Sequence, residues 1–118
     1  MNQVTPIGAG RYAYLLHREA ARRLAYVHIA RFAPHYGVQV RSISIRDQKT
    51  RWGSCSRNGT LCFNYRIALL PPRCAEYVIV HELCHLLEFN HSRRFWGLVA
   101  KTVPEHRVIR RHLHHAMS

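Results

Sequence analysis

The chain has 118 residues, with 18 Lys+Arg against 6 Asp+Glu, a formal charge of +12 and 47% apolar residues. That length suits one domain around one core, and the apolar fraction is that of a globular rather than a disordered protein. Apolar runs such as Tyr77 to Val80 fall far short of the roughly 18 residues of a membrane span, and the start lacks a basic segment followed by an apolar signal core, so a cytoplasmic protein without membrane contact is expected.

Residues 1–10, with Pro6, Gly8 and Gly10 and no periodicity, read as an irregular arm. Residues 11–36 are rich in Ala, Arg and Leu, and the spacing of Leu16, Ala20, Leu24 and Val27 predicts a helix with one buried stripe, stopped by Gly37. Residues 38–46 alternate apolar with polar, the period of a half-buried strand. Two further strands, 51–56 and 60–65, are joined by Arg57-Asn58-Gly59, where Asn-Gly supplies the positive φ of a tight hairpin and predicts an antiparallel sheet.

Pro71 and Pro72 then announce a helix running to about Phe89. Val78, Ile79, Val80, Leu83, Leu86 and Leu87 cover most of its directions, which marks a buried central helix. Ser92 caps a following helix that Pro104 ends, and residues 105–116 form a short basic terminal helix. The expectation is one α+β domain over residues 1–118: an N-terminal helix, a small antiparallel sheet, a buried helix and C-terminal helices.

The polar residues on that buried helix are His81, Glu82, His85 and Glu88, and the first three spell His-Glu-Leu-Cys-His. Histidines four apart differ by about 40° on a helical wheel, so both rings reach one metal, while Glu82 stands roughly 80° away, where it contacts a bound water without joining the coordination sphere. Even in this histidine-rich chain the residue frequencies give an expectation of roughly 0.03 for such a motif. His91 follows six residues beyond His85. Three imidazoles with an open fourth position suit one catalytic Zn2+ per chain, whereas a closed structural site shows four ligands, usually including thiolate.

Glu88, on the same wheel face, and the Glu105–His106 region compete with His91 as third ligand. His91 is preferred because a residue just past the helix end can fold back over the metal, which leaves Glu88 to accept a hydrogen bond from a ligand imidazole. Cys84 points away from the ligand pair and reads as core. Cys55, Cys62, Cys74 and Cys84 form no C-x-x-C pair, which predicts reduced thiols. Trp52 and Trp96 read as core aromatics, and His112, His114 and His115 as solvated.

The segments Lys49-Thr50-Arg51-Trp52-Gly53-Ser54-Cys55-Ser56, Leu61 with Asn64-Tyr65-Arg66, Tyr77 through His85, and Asn90-His91-Ser92 with Phe95-Trp96 resemble the YgjP-like metallopeptidases, relatives of the SprT-like proteases among the zincins. The resemblance covers about residues 46–104. It implies zinc on His81, His85 and His91, Glu82 as catalytic base, and a minimal zincin-like α+β fold with a sheet beside the active-site helix. Family members often carry a longer β-rich N-terminal region. The histidine spacing also equals that of metzincins, which have glycine where Glu88 stands and a methionine turn absent here; Asn90 is expected to make the chain reversal in a left-handed conformation.

The function expected is hydrolysis of a polypeptide substrate, an extended segment pairing with an edge of the hairpin. Arg51, Tyr65, Arg66 and Tyr77 are candidates to stabilise the oxyanion. Sixteen of the eighteen basic residues are Arg, which suits phosphate, so the alternative is a nucleic-acid-associated protein, in one form a DNA-recruited SprT-like protease.

Overall fold

A computed structural model describes residues 6–117, with side chains from 11 to 114. The first helix, α1, spans Pro6–Tyr36, so residues 6–10, expected to be irregular, are helical; the rest of the expected arm, residues 1–5, lies outside the described residues. Proline is tolerated in a first helical turn, whose N–H groups have no partner within the helix. At about 1.5 Å per residue this 31-residue helix sets the long axis of a molecule measuring 49 × 29 × 21 Å.

The end of α1 is closed by Gly37 in the left-handed region at φ 68°. Its N–H donates to the Pro34 carbonyl at 3.2 Å and that of Val38 to the Ala33 carbonyl at 3.1 Å, the paired bonds that satisfy a helix terminus. The buried stripe is Ala21, Ala25, Ile29, Phe32, Ala33 and Tyr36 rather than the predicted one. Leu16 and Val27 are 59% and 62% exposed, Ala20 is exposed and Leu24 half-buried. Apolar residues lie on more than one side of α1, and the small side chains of Ala21 and Ala25 permit the closest approach to the core.

Strands β1 (Ser42–Arg46), β2 (Gly53–Cys55) and β3 (Thr60–Asn64) form a sheet of order β1-β3-β2. β2 and β3 are the predicted hairpin, antiparallel with Ser54 opposite Cys62. Gly59, at φ 92°, takes the left-handed position alone, without Asn58, and Gly59 N–H donates to the Ser56 carbonyl at 3.1 Å, as in a three-residue hairpin loop. The sheet is mixed rather than antiparallel, because β1 pairs parallel to β3 with Ser42 opposite Thr60 and Arg46 opposite Asn64.

The reason lies in the loop of residues 47–52, which carries the chain across the end of β3 so that β2 starts on its far side. Asn64, fully buried, holds that loop: its Nδ2 donates to the carbonyls of Gln48 at 2.8 Å and Arg51 at 3.1 Å. Its Oδ1 accepts from Arg66 N–H at 3.0 Å, capping a 3-10 turn over Tyr65–Leu69.

Helix α2 (Pro72–His85) runs through the middle of the fold, packed by α1, β2, α3 and α4. Of its residues Ala75, Ile79, Val80, Leu83 and Cys84 are wholly inaccessible. It ends one turn before the predicted limit, the N–H groups of Leu86 and Leu87 turning to carbonyls three residues back. Leu87 consequently emerges to 45% exposure. Helices α3 (Arg93–Ala100) and α4 (His106–Met117) follow as expected, Ser92 Oγ accepting from Phe95 N–H at 3.3 Å to start α3. Among the described residues no helix is long and apolar enough to cross a membrane.

Candidate metal centre

His81 and His85 lie one turn apart near the end of α2, and the loop after it returns His91 over the same face. The three Nε2 atoms converge, at 3.2 Å between His81 and His85, 3.0 Å between His85 and His91, and 3.3 Å between His81 and His91. No left-handed Asn90 makes this reversal, since no non-glycine among the described residues has positive φ; the shortened end of α2 and the Ser92 cap bring the chain back instead. Phe95, fully buried, stacks on His85 with centroids 4.4 Å apart, and Trp96 stacks on His91 at 5.7 Å.

The outer nitrogens are also placed. His85 Nδ1 lies 3.1 Å from the Glu88 carbonyl. A carbonyl only accepts, so Nδ1 carries the proton and Nε2 presents a lone pair to the cluster. His81 Nδ1 is bonded to the Tyr77 hydroxyl at 3.0 Å. Burial, followed by its two neighbouring imidazoles, holds His81 down to about 3, and burial also lowers His85, so these rings stay neutral, the form that binds metal. Nitrogens about 2.0–2.1 Å from a tetrahedral zinc stand roughly 3.3 Å from one another. Three Nε2 atoms at this spacing match that geometry, so the donor set fits zinc.

Glu82 is 6% exposed and lies against β2, where a Cβ on Gly53 would come within 3.1 Å of Glu82 Cγ and 3.2 Å of Oε2. Burial pushes its carboxyl up to about 8, with Arg51 pulling the other way. A cleft of about 840 Å³ opens beside His81 and Glu82, bounded by the loop before β2, by Tyr77 and by one face of α4. Trp52 Nε1 donates to the Leu113 carbonyl at 3.3 Å and ties the loop to α4.

The competing ligands lie elsewhere. Glu105 is held by Arg73, with contacts of 2.7 and 3.0 Å, and that hydrogen-bonded pairing draws its carboxyl down to about 2. The Glu88 carboxylate turns to Arg94 at 3.6 Å, so the hydrogen bond expected of its side chain is accepted by its backbone carbonyl. Of the four oxyanion candidates Arg51 and Tyr77 line the cleft. Tyr65 is buried and Arg66 is engaged by Asp47 at 3.1 Å.

Cys84 is wholly buried. His112 is exposed and His114 lines the cleft, while the side chain of His115 lies outside the described residues. Trp52 and Trp96 are half-buried rather than core, one lining the cleft and the other stacked on His91. Gly53 and Asn64 gained no role from sequence reasoning, although both fall within the segments that carried the resemblance.

The family described as YgjP-like, metallopeptidase domain, matches residues 9–116. Among solved structures, that of the metallopeptidase zymogen of Pyrococcus abyssi abylysin is similar, with 26% identity and a TM-score of 0.58 over 71% of this chain and 80% of that one. No curated protein sequence matches the chain closely. The family match runs from α1 to α4 and takes in all three converging histidines and Glu82, and on that extent the chain belongs to the YgjP-like metallopeptidase domain family.

Proposed function

We propose that the protein is a zinc-dependent peptidase, with one zinc held by His81, His85 and His91 and with Glu82 as general base. The convergence of three imidazole Nε2 atoms within 3.3 Å, beside the buried carboxyl of Glu82, carries this reading. Zinc bound there supplies a Lewis acid, which acidifies water toward neutrality and polarises the scissile carbonyl.

The protein's own residues do the rest. Glu82, whose carboxyl burial raises and Arg51 draws back, takes, in its ionised form, a proton from the attacking water and returns it to the leaving amine. β2 is an edge strand of the sheet and runs beside α2, so an extended substrate pairs with its free edge through backbone hydrogen bonds. Arg51, on the cleft wall near Glu82, stabilises charge developing on the carbonyl oxygen. The four free cysteines accord with a reducing, cytoplasmic setting.

The test is Glu82→Gln. The variant is expected to retain zinc and lose cleavage of a casein-like substrate; unchanged cleavage removes the role given to Glu82. His91→Ala is expected to lower the zinc content that the wild type holds at one per chain.

A second reading, recruitment to nucleic acid, is favoured by Arg11, Arg22 and Arg46 lining a separate cleft of about 430 Å³ between α1 and β1. Phosphate contacts there require binding to plain duplex DNA to weaken steeply with salt, and binding indifferent to salt eliminates it.

A further inference from the structure

Helix α4 is set in rotation by the residues it buries. Ile109 and Leu113 enter the core at 6% and 5% exposure, and His106 stacks on Trp96 with ring centroids 5.0 Å apart. The neighbouring face then points into the cleft beside His81 and Glu82, and it carries Arg107, Arg110 and Arg111; Arg51 joins them from the loop before β2. Arg31, Arg66, Arg73 and Arg94 are paired with carboxylates. Among the described residues none of the four cleft arginines has a carboxylate at ion-pair distance, and Arg110 lies over the Trp96 ring at 4.2 Å. Glu82 is the one acid in the cleft lining, and it is buried.

Four guanidinium groups lining one cleft with low-dielectric sides, none at ion-pair distance from a carboxylate among the described residues, concentrate positive potential where a substrate must lie. Their planar forks match carboxylates in a two-point geometry that Lys cannot reproduce. We infer that this cleft selects polypeptide segments bearing Asp or Glu side chains beside the bond to be cleaved. The inference rests on the peptidase reading for the cleavage step, and on the arginine wall alone for the binding preference. A backbone-paired substrate on β2 would otherwise be held without regard to side chain; the α4 wall supplies the discrimination.

The test separates the two. Zinc-loaded Glu82→Gln protein is titrated with two labelled peptides of equal length, one with Asp and Glu flanking a central apolar pair and one with Gln and Ser in their place. The acidic peptide is expected to bind on the order of tenfold more tightly at low salt, with the advantage fading as salt approaches about 0.5 M. Adding Arg107→Glu with Arg111→Glu, which leaves two Arg and two Glu on the cleft, is expected to abolish the preference. Arg107→Gln with Arg111→Gln, a milder change at exposed helix positions, is expected to narrow the ratio without abolishing it.

Equal binding of the two peptides, or a preference that survives both double substitutions, overturns the inference. Displacement of the acidic peptide by a single-stranded oligonucleotide at lower concentration than by unlabelled peptide assigns the wall to nucleic acid and overturns it too. If the wild type cleaves neither peptide while the binding preference, and its loss in the double Glu variant, persist, the peptidase reading fails and the acidic selectivity stands.

Discussion

The α-carbon of Gly53 sits against the carboxylate of Glu82, so close that a methyl group there would lie 3.2 Å from Oε2 and 3.0 Å from the Cys62 carbonyl. Glycine is therefore favoured by what lies beside it, not by its own backbone angles, since its φ is not in the left-handed region. β2 approaches α2 at van der Waals distance, and the buried carboxylate is held between strand and histidines.

Gly53→Ala is accordingly predicted to displace Glu82 by a few tenths of an ångström. Positioning errors of this kind cost between about tenfold and a hundredfold in rate. The expected outcome is a lower kcat on a casein-derived peptide with zinc content unchanged. Full activity would show that the strand accommodates a methyl group without moving the carboxylate.

The hydroxyl of Tyr77 fixes His81 from behind. Tyr77→Phe keeps the buried ring and removes that bond alone, and outer hydrogen bonds to metal-binding histidines are typically worth 10–100-fold in metal affinity. Competition with a chromophoric chelator should show zinc held about tenfold or more weakly, the fold being retained by circular dichroism. Unchanged affinity would mean that Phe95 stacking suffices to orient the cluster.

Much of this site was legible because α-helical geometry converts sequence spacing directly into direction. His81, Glu82 and His85 needed nothing beyond 3.6 residues per turn, and His91 needed only a reversal of the chain. What lay beyond the sequence was fixed by tertiary choices. Glu88 offered a side chain and a carbonyl to His85, and Arg94, arriving from α3, drew the side chain away. The parallel pairing of β1 depends on a loop crossing the end of β3, held by hydrogen bonds of Asn64 to residues 13 and 16 positions away. The stripe on α1 was mistaken because alternation of Ala, Leu and Arg leaves apolar residues on several sides, and only packing selects Ala21 and Ala25.

Asn64 ties the cleft loop to the sheet, so Asn64→Ala should act at a distance from the chemistry. It leaves the Arg51 carbonyl and the N–H of Arg66 without this partner, while the Gln48 carbonyl still accepts from Arg66 Nη1 at 3.1 Å; an uncompensated buried group costs about 1–3 kcal/mol. A loss of roughly 2–4 kcal/mol is expected in urea unfolding, together with a raised KM, because Arg51 and Trp52 belong to that loop. Stability equal to the wild type would require water to replace the bonds to the Arg51 carbonyl and the Arg66 N–H.

Acid should unfold the metal-free protein through its histidines. Burial lowers the pKa of His28 and of His106, the latter reinforced by Arg107 and Arg110, and it lowers His81 and His85 in the cluster as well. A lowered folded-state value means that the unfolded chain takes up protons first, from about pH 6.5 downward. The stability these neutral rings contribute is therefore complete above pH 6.5 and is lost as pH falls toward each folded value, with His81 titrating last at about 3. Glu82 works the other way, since a carboxyl raised to about 8 takes up its proton first in the folded state. In Glu82→Gln protein, where that opposing uptake is removed, thermal unfolding in the presence of a chelator should show the midpoint falling by about 5 °C or more between pH 7.5 and 5. Zinc should raise the midpoint at pH 7.5 and do so less at pH 5, where protons compete for the same nitrogens. A metal-free Glu82→Gln midpoint that stayed level across this range would contradict the burial of neutral His28 and His106, and a zinc effect independent of pH would contradict ligation by imidazole.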